Sequence, residues 1–235
     1  METHRKARSS QDKADRRDDL LGVAATMFDS VPYAKITMAE VAQRAGLAKG
    51  TVYLYFASKE ELFLSVLEKL LFAWHDALDQ RLDAARGEIS SDQLVEMLAL
   101  RSPGSGTLTG LLAIVSGVLE HNVSVEVASR YKPQLWSHMM KSGAKLEAKW
   151  PHFRAGEGFQ FLGHLALFII GGRQLADLPP VVVQVVDAFN LQGFRIDFDT
   201  ELDMLIRNHL RGLESRTRAI GATNRASGRT QPVKR

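Results

Sequence analysis

A run of donors and rings between positions 37 and 59 has the residue types and spacing for chemistry: Thr37, Lys49, Gly50, Thr51, Tyr53, Tyr55 and Lys59. They supply hydroxyl and ammonium donors, two phenol rings and one position with no side chain. No nucleophile, base and orienting acid assemble among them or elsewhere in the chain, so the chemistry on offer is recognition and no enzyme is expected. Donors on the outer face of one short helix suit a DNA major groove, where base edges offer acceptors and phosphates line the rim. Lys59 falls in the first turn of a following helix, beside amides that favour an anion such as phosphate.

Capping and periodicity show which elements must hold these residues. Thr37 and Glu40 have capping-box spacing, so a helix starts at Met38 and carries Met38, Val41, Ala42 and Ala45 as one apolar stripe. Gly46 ends it, because glycine takes the left-handed conformation without a Cβ clash and turns Leu47 back toward the stripe. A second helix, from about residue 49 to 56, buries Val52 and Phe56 and leaves the donors outside. Ser58 and Glu61 repeat the capping-box spacing and open a third. Upstream, Leu20, Leu21, Ala24, Ala25 and Phe28 mark an amphipathic helix that packs behind this helix-turn-helix.

Residues 45 to 62, Ala-Gly-Leu-Ala-Lys-Gly-Thr-Val-Tyr-Leu-Tyr-Phe-Ala-Ser-Lys-Glu-Glu-Leu, resemble the DNA-binding signature of the tetracycline-repressor (TetR) family of bacterial transcriptional regulators. The resemblance extends back through 20 to 28 and Tyr33 and covers roughly residues 18 to 66. It implies that Thr37, Lys49, Gly50, Thr51, Tyr53, Tyr55 and Lys59 occupy DNA-contacting positions. Two positions depart from the family pattern. Pro32 stands where glycine is common, which suits a turn, and Ala48 stands where Ser or Thr caps the recognition helix, removing a cap worth about 1 kcal/mol.

The rest of the chain reads as all-α. At 235 residues and 45% apolar content it can bury an ordinary core, and it has no cysteine for disulfides or thiolate chemistry. The expected organisation is a disordered arm at 1–16, a helix-turn-helix domain at 17–60, a larger helical domain at 61–213 and a basic disordered tail at 214–235. A long helix from Ser58 carries Leu62, Val66, Leu70, Trp74, Leu78 and Leu82, and Gly87 ends it. Breakers then delimit helices near 91–101, 107–121, 124–149, 156–176, 180–190 and 198–214. Net charge is only +3, but residues 1–60 carry 10 basic and 8 acidic groups and residues 214–235 carry 6 and 1. The basic ends favour an anionic partner. The first residues lack the apolar segment of a signal peptide, and the apolar run 159–172 is shorter than a bilayer requires, so a cytoplasmic protein is expected.

Several signals point nowhere. Asp197, Asp199, Glu201 and Asp203 alternate like calcium ligands but lack the loop glycine, and the acidic first turn of a helix accounts for them. Lys49-Gly50-Thr51 has phosphate-loop letters in the wrong order, and the seven histidines show no zinc-helix spacing. No cofactor or metal is expected. On the final helix, Leu202, Leu205, Ile206, His209, Leu210 and Leu213 form an apolar face. Paired with the 159–176 helix, it resembles the two helices that form a four-helix bundle across the family's dimer axis. The resemblance thus implies a homodimer on an inverted-repeat operator, most often acting as a repressor. A small-molecule effector is also implied, its pocket expected to include Leu71, Trp74, Leu112 and Leu119 and, further on, Trp136, Met140, Phe161 and His164. That lining suits an apolar or aromatic compound. The alternative is a helical small-molecule-binding protein whose DNA reader is dispensable.

Overall fold

The computed structural model describes the backbone of residues 2–100 and 103–227 and the side chains of 12–100 and 103–216. Helices account for the regular structure of these residues: α1 Glu2–Ser30, α2 Met38–Arg44, α3 Lys49–Tyr53, α4 Lys59–Ala84, α5 Ser91–Leu98, α6 Ser105–Ile114, α7 Val125–Lys149, α8 Glu157–Ala176, α9 Pro180–Ala188 and α10 Phe198–Ser227. The class is all-α, as the periodicity and breakers lead one to expect. Two flanking stretches expected to lack regular structure are helical instead: α1 runs back to Glu2, and α10 runs on to Ser227. At the N-terminal flank no Gly or Pro precedes Gly22, so a helix already nucleated propagates back; at the C-terminal flank it propagates through Gly221, at a cost of about 1 kcal/mol relative to Ala there. The last part of the expected tail, 228–235, lies outside the described residues.

The chain forms two compact units, residues 1–74 with 100–137 and residues 75–99 with 138–235. In the first, Leu20, Leu21, Ala24 and Met27 of α1 are buried together with Val41, Ala42, Val52 and Phe56, the interior of the helix-turn-helix. Phe28, Tyr33 and Phe63 form an aromatic triangle, with Tyr33 edge-on to Phe63 at 5.2 Å between centroids. Arg17 donates to Ser65 at 3.0 Å and lies 5.0 Å above the Phe56 ring, which ties α1 to α4. On α6, Gly110 faces Phe28, where a Cβ would come within 2.8 Å of the ring.

The second unit is built on α5, α8, α9, α10 and the remaining parts of α4 and α7. Its core includes Leu78, Leu82, Leu94, Leu146, Trp150, Phe161, Leu165, Ile206 and Leu210. The backbones of α7 and α8 meet at Gly143 and Gly158: a Cβ on Gly158 would lie 2.1 Å from the Gly143 carbonyl oxygen. Inside this unit His75, Asp79 and Ser142 are buried. The Ser142 hydroxyl donates to Asp79 Oδ1 at 2.7 Å and lies 2.9 Å from His75 Nδ1. A hydroxyl has one proton, so with that proton on Asp79 the His75 Nδ1–H must be the donor to Ser142. Lys141 reaches Asp79 Oδ2 at 2.8 Å.

Asp197 Oδ1 accepts from the Thr200 amide at 2.9 Å, so the acidic series near 197 includes a helix cap. Among the described residues no single helix is long and apolar enough to cross a membrane.

Candidate nucleic-acid interface

The reader is assembled from local hydrogen bonds. Thr37 is extended (φ −120°, ψ 152°), and its Oγ1 accepts from the Glu40 amide at 3.2 Å. The Glu40 carboxylate accepts from the Thr37 amide at 2.9 Å and from its hydroxyl at 2.8 Å. Those two bonds from Thr37, side chain first, hold the Glu40 carboxyl below the usual range. At the other end of α2, Gly46 takes φ 66°, its amide donates to Gln43 O at 3.1 Å, and Leu47 N donates to Ala42 O at 2.9 Å. This paired arrangement is a Schellman cap, and it supplies the sharp turn between α2 and α3.

α3 is short. It spans five residues, and Tyr55 and Phe56 follow in a turn whose amides both donate to Val52 O, at 3.0 and 3.1 Å. Val52 and Phe56 are fully buried, and this anchor sets which face looks outward. Lys49 and Gly50 are exposed, Thr51 and Tyr55 half-buried, and Tyr53 is 45% exposed. Nothing lies within 4 Å of a Cβ built on Gly50, so its bare backbone opens onto free surface that a ligand can approach closely. Ala48 has the extended geometry of an N-cap (ψ 144°) but offers no side-chain bond, as its methyl group dictates.

Leu54 is a residue that the sequence reading passed over. At 75% exposed it is an apolar group standing among the reader's donors, the kind of side chain that meets a thymine methyl. Its signal was present, since Leu54 falls between two outward tyrosines and off the Val52–Phe56 stripe.

The start of α4 departs from the expected capping box in one detail. Ser58 Oγ accepts from the Glu61 amide at 3.0 Å, but Glu61 reaches back to the Ala57 amide at 2.9 Å, one residue beyond the cap. Tyr33 donates its hydroxyl to Glu60 at 2.9 Å, and burial followed by that acceptor raises the phenol well above its ordinary value. Lys59 is half-buried, and its Nζ donates to Tyr33 O and Ile36 O, each at 3.1 Å.

The structure therefore places Thr37 at the start of α2, Lys49, Gly50, Thr51 and Tyr53 on α3 and Tyr55 in the turn that follows it, and directs the Lys59 ammonium to the carbonyls of Tyr33 and Ile36. Of the residues expected to line an effector pocket, the first unit buries Leu71, Leu112 and Leu119, half-buries Trp74 and leaves Trp136 59% exposed. In the second unit Phe161 is buried, whereas Met140 is 48% exposed and His164 is exposed, with its Nδ1 3.1 Å from His209 Nε2. The exposure of Trp136 and Met140 follows from helix phase. The α7 residues facing inward include Tyr131, Ser142 and Leu146, and 136 and 140 fall toward the opposite side of the helix.

Residues 20–66 match the family model described as bacterial regulatory proteins, tetR family, and residues 68–217 match that of the tetracyclin repressor-like C-terminal domain. The HTH-type transcriptional repressor KstR2 of Mycolicibacterium smegmatis is 39% identical over 72 residues, a match spanning 31% of this chain and 35% of that protein's length. The nucleoid occlusion factor SlmA of Shewanella loihica is 26% identical over 170 residues, 68% of this chain and 82% of SlmA. Among solved structures, the fatty acid degradation regulator FadR from Bacillus halodurans shares the fold with a TM-score of 0.50 at 16% identity, covering 83% of this chain and 96% of FadR. With both halves of the chain matched, the protein belongs to the tetracycline-repressor family and is a DNA-binding transcriptional regulator.

Proposed function

We propose that the protein is a cytoplasmic repressor in which Thr37, Lys49, Gly50, Thr51, Tyr53 and Tyr55 form the surface that meets an operator, with Leu54 as an added apolar contact. Residues 17–60 are the reader, and residues 61–213 are the part that dimerises and binds an effector. The observation that carries this reading is the outward donor set on α3, held in place by the fully buried Val52 and Phe56. One five-residue helix covers few base pairs. A twofold pair of readers about 34 Å apart on an inverted repeat supplies the rest. Support for pairing comes from α8 and α10, where Leu167, Leu175, Met204 and Leu205 are exposed apolar residues. Repression follows the family's usual mode, and an apolar or aromatic effector suits the buried Leu71, Leu112 and Leu119 of the first unit. Such a ligand releases the operator only to the extent that it prefers the DNA-incompetent state.

The test is a footprint on DNA upstream of the protein's own and adjacent genes, repeated with Lys49→Ala and Leu205→Glu. A protected inverted repeat, weakened by the first variant and lost with the second, is the expected result. Protection of a single half-site by a monomer would sink the paired reading.

A further inference from the structure

We propose that Lys59 is a positioning residue of the reader rather than a phosphate contact. The inference rests on the assignment of α2 and α3 as the DNA-reading surface, and it concerns how that surface is held.

An ammonium group has three N–H donors and no acceptor. Two are committed at 3.1 Å to the carbonyls of Tyr33 and Ile36, and Nζ lies 4.1 Å from the centroid of the Tyr33 ring. The group is thus enclosed by two carbonyl oxygens and an aromatic face, which together satisfy its charge at a half-buried position. Swinging out to a phosphate would break both bonds, taking from the Ile36 carbonyl its Lys59 donor and leaving the Tyr33 carbonyl with the Ile36 amide at 3.2 Å alone.

The carbonyls it grips mark the approach to the reader. The peptide joining Ile36 to Thr37 is held from both sides: its carbonyl accepts from Lys59, and its N–H donates to the Glu40 carboxylate at 2.9 Å. Ile36 is itself buried, and Tyr33, the other acceptor, is fastened to α4 by its bond to Glu60 and by the Phe63 ring. Lys59 therefore fastens the first turn of α4 to the residue before the α2 cap, and α3 follows from α2 through the Gly46 turn. Removing the ammonium leaves the donor set on α3 intact and frees its mounting.

Salt dependence separates mounting from contact. Each phosphate neutralised by a side chain contributes a slope of about 0.9 in log K against log salt, whereas a residue that only orients the reader contributes none. Binding is measured for wild type, Lys59→Met and Lys49→Ala on a duplex selected from a random library by the wild-type protein, with active fractions titrated at a temperature where each variant is folded. For Lys59→Met the expected result is binding weakened about tenfold, on the order of a lost cap, with the wild-type salt slope. Lys49→Ala should lose about 0.9 of slope. A slope for Lys59→Met that falls by about one, or full affinity in its folded fraction, overturns the proposal.

A second measurement needs no variant. In the ammonium NMR spectrum of the wild-type protein the Lys59 signal should hold its shift when the duplex is added, while that of Lys49 moves. A Lys59 signal that moves with Lys49 overturns the proposal as well. A wild-type protein that selects no duplex would count against the reading of α2 and α3, an outcome distinct from either failure.

Discussion

At the start of α2, Thr37 and Glu40 satisfy each other across three residues in full view of solvent. In the second unit His75 and Asp79 meet Ser142 from 67 and 63 residues away, and all three are buried. The two arrangements use similar groups at similar distances, but their stakes differ. An exposed cap that is lost is replaced by water at a cost of about 1 kcal/mol. A buried polar group that loses its partner keeps its full desolvation penalty, on the order of 1 to 3 kcal/mol and more for a charged group such as Asp79. The reader thus tolerates sequence change at modest cost, whereas the second unit depends on distant segments arriving in register.

The largest effect expected from this contrast is with pH. Burial, then repulsion from His138, lowers the His75 pKa from 6.5 to about 4; Lys141 acts in the same sense, and Asp79 and Asp76 oppose it. The unfolded chain therefore takes up a proton that the folded one refuses between these values. The contribution is fully present above about pH 6.5 and is lost as pH falls toward 4, by on the order of 3 kcal/mol. Urea midpoints at pH 7, 5.5 and 4.5 should fall steeply for wild type and more gently for His75→Gln. Equal slopes would remove the distinction between the buried network and an exposed cap.

Next is Gly158→Ala, which places a Cβ 2.1 Å from the Gly143 carbonyl oxygen, a backbone atom that cannot rotate away. The helices must part, at a cost of about 2 to 3 kcal/mol in chemical denaturation. A wild-type midpoint would show the crossing to be loose.

Thr37→Ala should cost about 1 kcal/mol, through the α2 cap alone. A loss of the size expected for Gly158→Ala would mean that the reader is not locally held. The smallest change is a gain. Ala48 already has cap geometry, so Ala48→Ser should stabilise by about 0.5 to 1 kcal/mol, read as a raised melting temperature. A destabilised variant would break the view that the reader's hydrogen bonds are satisfied locally.

The legibility of the fold follows the same division. Thr37, Glu40, Gly46 and Ser58 could be assigned structural roles from spacing, because a cap closes over three residues and a Schellman turn over six. Val52 and Phe56 set the outward face of α3 by helical phase, so the exposure of Lys49, Gly50 and Tyr53 was legible in the spacing. Helix ends were less so: propagation of α1 to Glu2 and of α10 to Ser227 depends on a nucleus elsewhere in the same helix. Trp136 and Met140 looked like core by residue type, and only the stripe through Tyr131, Ser142 and Leu146 shows them to lie off it.

By itself the sequence determined the all-α class, the helix-turn-helix and the identity of the donors on α3, since each rests on interactions that close within a turn or two of helix. Tertiary structure alone decided where the Lys59 ammonium goes, that His75, Asp79 and Ser142 meet, and that Gly143 and Gly158 let two backbones touch. These pairings join residues 15 to 67 positions apart, and no local period or capping pattern encodes which distant segment will be the neighbour.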